Sequence, residues 1–170
     1  MPFRQLLPVA AIVLSGAIAH AQGAQVGLGG GADHDSSLPV EVTSQQLDVD
    51  ENSGTATFTG DVVVTQGLLR LTGPLVDVWF VEGLDGENEI EKVYASGGVT
   101  LFNGLEAAEG DDALYTLATG TVVMTGDVVL TQGQSAIAGE KLTVNLDTST
   151  GVMEGRVKVL YQSGGADGSE

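Results

Sequence analysis

A nine-residue string occurs twice in this chain with a single change. TGDVVVTQG at Thr59–Gly67 returns as TGDVVLTQG at Thr125–Gly133, 66 residues later. The match extends outward at the same offset, pairing Gly54-Thr55 with Gly120-Thr121, Leu71 with Ile137, Gly73 with Gly139 and Val78 with Val144. Two weaker copies follow the same theme, GGVTLFNG at Gly97–Gly104 and GRVKVLYQSG at Gly155–Gly164. The four units open at Gly60, Gly97, Gly126 and Gly155, spaced 37, 29 and 29 residues apart. A unit this short cannot bury its apolar face alone. Stacked units cover one another, which restricts the chain to a solenoid-like or jelly-roll body.

The units are made of strands. From Leu38 to Gln162 the two-residue period dominates, and no window shows a period of 3.6. Turn signals punctuate the alternation at Asp50-Glu51-Asn52-Ser53-Gly54, Ala118-Thr119-Gly120 and Asp147-Thr148-Ser149-Thr150-Gly151. Glycine there supplies positive φ, while Asn, Asp and Ser bond their own backbone. Each outgoing strand then runs into Gly60, Gly126 or Gly155. A glycine inside a strand pattern marks a bulge or bend, and a bend lets one long strand turn a corner between two sheets. The fold expected is all-β, built from repeated short antiparallel strands.

Alternation also assigns faces. The inward phase holds Phe58, Val62 and Val64, then Leu69 and Leu71, then Val76, Val78 and Phe80. Val99 and Leu101 follow, then Val122, Met124, Val128 and Leu130, then Leu142, Val144 and Leu146, and finally Val157, Val159 and Tyr161. Such a face is either the closed core between two sheets or an apolar groove left open for acyl chains. Only 5% of the chain is aromatic, so few large rings are available to fill a wide interior. Trp79 and Phe102 fall on the outward phase and are expected to pack beneath loops. The hydrophilic stretch Glu82–Glu91, with five acids, is expected to be an exposed loop.

The ends read differently. Arg4, an apolar run from Leu6 to Ala19 and the small-x-small Ala19-His20-Ala21 form a signal-peptide pattern with the cut before Gln22. The run is about 14 residues, short of the roughly 20 that a spanning helix requires. Residues 1–21 are therefore expected to be a signal peptide, 22–37 a flexible Gly/Ala-rich lead, 38–162 the β domain and 163–170 a flexible tail. The export route implies the periplasm, and the absence of cysteine leaves stability to burial and strand ladders.

The chain carries 23 carboxylates against 6 cations, a net charge of −17. Such a surface repels nucleic-acid phosphates and anionic membranes, so no nucleic-acid partner is expected. Catalytic groups are missing as well. Of two histidines, His20 lies in the signal and His34 in the lead, so no serine–histidine pair can form on the body. The run Asp48–Gly54 resembles a calcium loop only superficially, since its glycine comes one place late and Thr59 occupies the twelfth position. Glu106, Glu109, Asp111 and Asp112 around Gly110 read as a solvated acidic loop. Gly27–Gly31 neither follows a strand nor opens a helix, which excludes a phosphate loop. No enzyme activity, catalytic residue, metal or cofactor is expected.

PVEVTSQQLDVDENSGTATFTGDVVVTQGLLRLTG, with AEGDDALYTLATGTVVMTGDVVLTQG and GEKLTVNL later, resembles the OstA-like domain of the LptA family. The string A-x-F-x-G-D-V-x-V-x-Q-G at Ala56–Gly67, followed by Leu69-x-Leu71, carries the resemblance, and the second copy strengthens it. It spans Leu38 to Gln162. It implies a twisted, slightly open β-jellyroll that holds lipopolysaccharide acyl chains on the inward positions named above. It also implies partners, LptC-like at the inner membrane and LptD-like at the outer, with possible head-to-tail homo-oligomers joined by strand addition. The alternatives are a membrane-anchored LptC-like member of the same pathway, a structural β-solenoid without ligand and, on the acidic clusters alone, a carbohydrate-active enzyme.

Overall fold

A computed structural model describes residues 24–27, 34–84 and 86–161. The signal segment 1–21 with its cut, the Gly-rich 28–31 stretch and the tail 163–170 lie outside the described residues. The elements run β1 (Ala24–Gly27), β2 (Glu41–Thr43), β3 (Gln46–Asp50), β4 (Thr55–Gln66), β5 (Leu69–Glu82) and β6 (Asn88–Asn103). They continue with β7 (Glu106–Thr116), a 3-10 turn at Leu117–Thr119, β8 (Thr121–Gln132), β9 (Ser135–Asn145), β10 (Thr150–Glu154) and β11 (Lys158–Leu160).

These eleven strands form one antiparallel sheet in the order β1-β10-β9-β8-β7-β6-β5-β4-β2, with β3 also on β4 and β11 also on β9. The sheet does not close into a barrel. Register shifts recur on every long ladder, between Thr59 and Val62, Thr72 and Leu75, Ser96 and Val99, Glu109 and Asp112, and Thr125 and Val128. They align across the sheet and fold it along one line into two leaves. Leaf one carries β3, β10, β1 and the segments 55–59, 75–82, 88–96, 112–116, 121–125 and 141–145. Leaf two carries β2, β11 and the segments 62–66, 69–73, 99–103, 106–110, 128–132 and 135–139. Buried residues of both leaves form a single hydrophobic cluster, so the leaves face each other across it. The jellyroll expected from the repeat is this folded sheet.

The corners explain the repeated Gly-Asp. In β4 the pair Gly60-Asp61 has φ of 81° and 45°, and in β8 Gly126-Asp127 has 83° and 43°. Two successive left-handed residues bend the strand and leave the inward parity unchanged, because two residues are skipped. On β5, β7 and β9 the inward residues are Leu71 and Val76, Ala108 and Ala113, and Ile137 and Leu142, an odd step. There the corner inverts the parity.

Gly126 is confined in a second way. A Cβ added there would lie 2.6 Å from the Asp111 Cβ, whereas one at Gly133, also left-handed at φ 58°, meets nothing within 4 Å. Gly133→Ala is expected to cost about 1–2 kcal/mol, the backbone term alone. Gly126→Ala should lower the urea midpoint further than Gly133→Ala does. Equal midpoints would show that the corner tolerates the contact.

Several expectations need correction. Within the lead expected to be flexible, Ala24–Gly27 pairs with β10 in a four-residue register. Four residues are too few to show an alternation, yet ladder bonds need only backbone. The Glu82–Glu91 loop shrinks to 83–87, because Glu89 and Ile90 continue the ladder opposite Val81 and Phe80. Exposed acids do not prevent backbone pairing. In the third turn Ser149, at φ 52°, takes the left-handed position, and Gly151 lies inside β10. Trp79 is half-buried and contacts a neighbouring strand: its register partner on β6 is Lys92, whose Nζ sits 4.8 Å from the ring centroid. Phe102 is exposed between Arg70 and Ala107. Val159 and Tyr161 are exposed too, since β11 is an edge strand at the end of its leaf.

Candidate functional site

The interior between the leaves is the one place where the whole repeat converges. Val62, Val64, Leu69, Leu71, Val76, Val78, Val99, Leu101, Val122, Met124, Val128, Leu130, Leu142 and Val144 are all buried there. Phe58 and Phe80 are partly buried and pack against the same cluster. Val93, Ala95, Ala108, Ala113, Tyr115, Leu146 and Met153 complete its buried members. Sequence reading missed most of these because alanine is a weak face marker and the odd corner of β7 inverts the phase.

A polar row crosses leaf two at its outer end. Register pairs connect Gln66 to Leu69, Leu69 to Asn103, Asn103 to Glu106, Glu106 to Gln132 and Gln132 to Ser135. Gln66, Asn103 and Glu106 are buried, at 2%, 7% and 6% exposure. The signal was available in the repeat itself, since Gln66 and Gln132 continue the inward parity of Val62-Val64 and Val128-Leu130.

Gln66 ties the leaves together. Its Nε2 donates to the carbonyls of Ser36 and Leu38, both at 2.9 Å, which fixes the amide orientation. Its Oε1 therefore accepts, and Tyr115 of leaf one donates to it at 2.8 Å. The Tyr115 proton is committed to that bond, so the His34 Nε2 at 3.0 Å donates to the Tyr115 oxygen. The two rings meet edge-on, 6.1 Å between centroids. Burial, with the Asp147 charge adding to it, pushes the Tyr115 phenol up to about 12. Burial also holds the His34 imidazole below its ordinary range, against the pull of Asp147 and Asp35. His34, expected in a flexible lead, instead packs against Tyr115, because a buried tyrosine oxygen gives it a partner.

Glu106 overturns a second expectation. It stands not in a solvated loop but in β7, its side chain inward between Asn103 and Gln132. Gln132 Nε2 donates to Oε1 at 2.9 Å, while Oε2 is buried without a partner. Burial raises this carboxyl above its ordinary range, opposed by the Gln132 bond. Beside it lies a cavity of about 20 Å³, lined by Leu101, Asn103, Glu106, Ala108, Leu130, Leu142, Val144 and Leu146. That is room for about one water centre, so an acyl chain can enter only if the leaves part.

The run Asp48–Gly54 behaves as a turn: the Asp50 carboxylate accepts the backbone N–H of Asn52 at 2.9 Å and of Ser53 at 3.4 Å. Among the described residues no group of three metal-ligating side chains gathers.

Residues 41–150 match the family model of LptA/(LptD N-terminal domain) LPS transport proteins. An uncharacterized protein of Rhizobium meliloti (strain 1021) is 28% identical over 119 residues, covering 68% of this chain and 62% of that protein. The chain thus spans less than two thirds of that relative's length. Among solved structures, LptH of Pseudomonas aeruginosa, the LptA-homologous periplasmic component of the lipopolysaccharide transport device, superposes with a TM-score of 0.67. It is 22% identical, with 76% of this chain and 99% of LptH covered, a likeness of fold.

Proposed function

This chain belongs to the family of LptA and LptD N-terminal-domain lipopolysaccharide transport proteins, and from that premise we propose that it is a non-enzymatic periplasmic component that shields lipopolysaccharide acyl chains between its two leaves. The observation that carries the reading is the continuous apolar interior, formed by the repeated strands of both leaves and rimmed by the polar row at one lip. Residues 1–21 serve as the export signal and 38–162 as the carrier domain.

The energetics favour such a carrier. Each exposed methylene costs about 0.8 kcal/mol, so a twelve-carbon chain costs on the order of 10 kcal/mol to move through water. An apolar trough removes that cost and no bond is broken. The net charge of −17 keeps phosphorylated headgroups outside, in solvent or bridged by divalent cations.

The ends of the sheet suit hand-over between proteins. At one end β3 exposes Leu47 and Val49, and at the other β11 exposes Val159 and Leu160, each 51–64% accessible. Apolar edge strands of this kind take up a further strand. The partners proposed are an LptC-like inner-membrane protein, an LptD-like outer-membrane protein and further copies of this chain.

A photo-crosslinking residue at Leu71 or Val64 should form lipopolysaccharide adducts in cells, and the same probe at the exposed Arg70 should not. Equal labelling at Arg70, or none at Leu71, would exclude the interior as the carrier surface and leave a structural module.

A further inference from the structure

We propose that Glu106 is a ligand contact, a buried acceptor that makes the interior prefer hydroxylated acyl chains over plain ones. The proposal rests on the carrier reading above and sharpens its substrate class. Its starting point is an unmet need. Glu106 is 6% exposed, Gln132 bonds Oε1, and Oε2 has no partner among the described residues. Buried polar atoms are almost always paired, so an orphan in an otherwise well-satisfied molecule points to a missing donor.

The surroundings define that donor. The adjacent cavity is apolar on its remaining walls, which Leu101, Ala108, Leu130 and Leu142 build together with Val144 and Leu146. Asn103 is the other polar side chain lining it. A lone water there would meet only Oε2 and the Asn103 side chain, the minimum of the two to four partners it needs. A metal ion would have one carboxylate, and no group of three ligating side chains exists among the described residues. A phosphate would meet a carboxylate and be repelled. The molecule that fits presents a neutral donor on an otherwise apolar body. A hydroxyl near the polar end of an acyl chain meets that description: the tail runs between the leaves, and the hydroxyl donates to Oε2 at the lip.

The strand register keeps the acceptor in place. Glu106 is flanked in its row by Asn103 on β6 and Gln132 on β8, and the Gln132 bond holds the carboxyl plane. A carboxylate held this way discriminates by leaving a buried oxygen unpaired whenever a plain chain is bound.

The experiment measures displacement of a fluorescent acyl probe by two neutral esters, methyl 3-hydroxytetradecanoate and methyl tetradecanoate. The protein as folded should bind the hydroxylated ester at least about tenfold more tightly, the ratio one hydrogen bond to a charged group supplies. Glu106→Leu should abolish the preference, bringing the affinities for the two esters together. Glu106→Gln, which keeps the shape, should reduce the preference and guards against misfolding of the leucine variant. Equal affinities for the two esters in the unmodified protein overturn the proposal and leave the carrier reading standing. So does an undiminished preference in Glu106→Leu. Failure of the probe and both esters to bind overturns the carrier reading and the proposal together.

Discussion

Joining the two leaves at their lip is expected to abolish lipid uptake without unfolding the protein. Gln66 and Tyr115 meet tip to tip at 2.8 Å from opposite leaves, and the chain has no cysteine of its own. Gln66→Cys with Tyr115→Cys therefore installs a unique thiol pair. Both long side chains are spent in reaching each other, so the backbones stand too far apart for a disulfide and a short bismaleimide is the suitable bridge. The cavity that Leu101, Leu130 and Leu142 line between the leaves is only about 20 Å³, so uptake there requires the leaves to part. A ligand sees only the fraction of molecules in the competent state, and a bridge that removes that state should weaken binding at least about tenfold. The unbridged double variant lacks the Tyr115–Gln66 bond and should bind at least as well as the unmodified chain. Binding of a fluorescent acyl probe before and after bridging is the measurement. Unchanged binding in the bridged form would show that acyl chains do not enter between the leaves here.

A charge placed in the middle of the same interior should do more damage than any other single change. Met124 on β8 and Leu142 on β9 are register partners and both fully buried. Met124→Asp puts a carboxylate there among cluster side chains that are all uncharged. Removing an ion from water costs several kcal/mol even after relaxation, against a total stability of about 5–15 kcal/mol for a domain of this kind. The expected result is loss of the cooperative urea transition at 25 °C. Leu142→Ala should fall between, at about 2–5 kcal/mol for a buried leucine truncated to alanine. Thr131→Asp, on the exposed face of β8, should stay within about 0.5 kcal/mol of the parent. A Met124→Asp chain with an unchanged midpoint would mean that water reaches this position. The surface proposed to receive lipid is thus the surface that holds the fold, and opening it exposes the chain's own core.

The two predictions divide along what could be read from the residues in order. Inward phase was legible where β-branched and leucine side chains mark it, as in Val62-Val64, Val76-Val78 and Val122-Met124. It was not legible in 106–115, where alanines carry the face and the corner at 110–111 shifts it by one. That shift turned Glu106 from an apparent loop residue into a buried one. Likewise Val159 and Tyr161 alternate correctly, but alternation does not reveal whether a second leaf lies over a strand. His34 sits 81 residues from Tyr115, its hydrogen-bond partner, and no local pattern connects them.

By itself, then, the sequence determined the β class, the repeat, the Gly-Asp corners at Gly60 and Gly126 and most of the apolar stripe. All of these follow from backbone geometry and periods within single strands. Only the tertiary structure decided which stripes face each other, that the lip of leaf two is a polar row, that Glu106 is left with an unpaired oxygen, and that Gln66 and Tyr115 hold the leaves closed. Those are consequences of cross-strand register. Register brings together residues separated by tens of positions, and a single skipped residue at a corner sends a side chain to the opposite face.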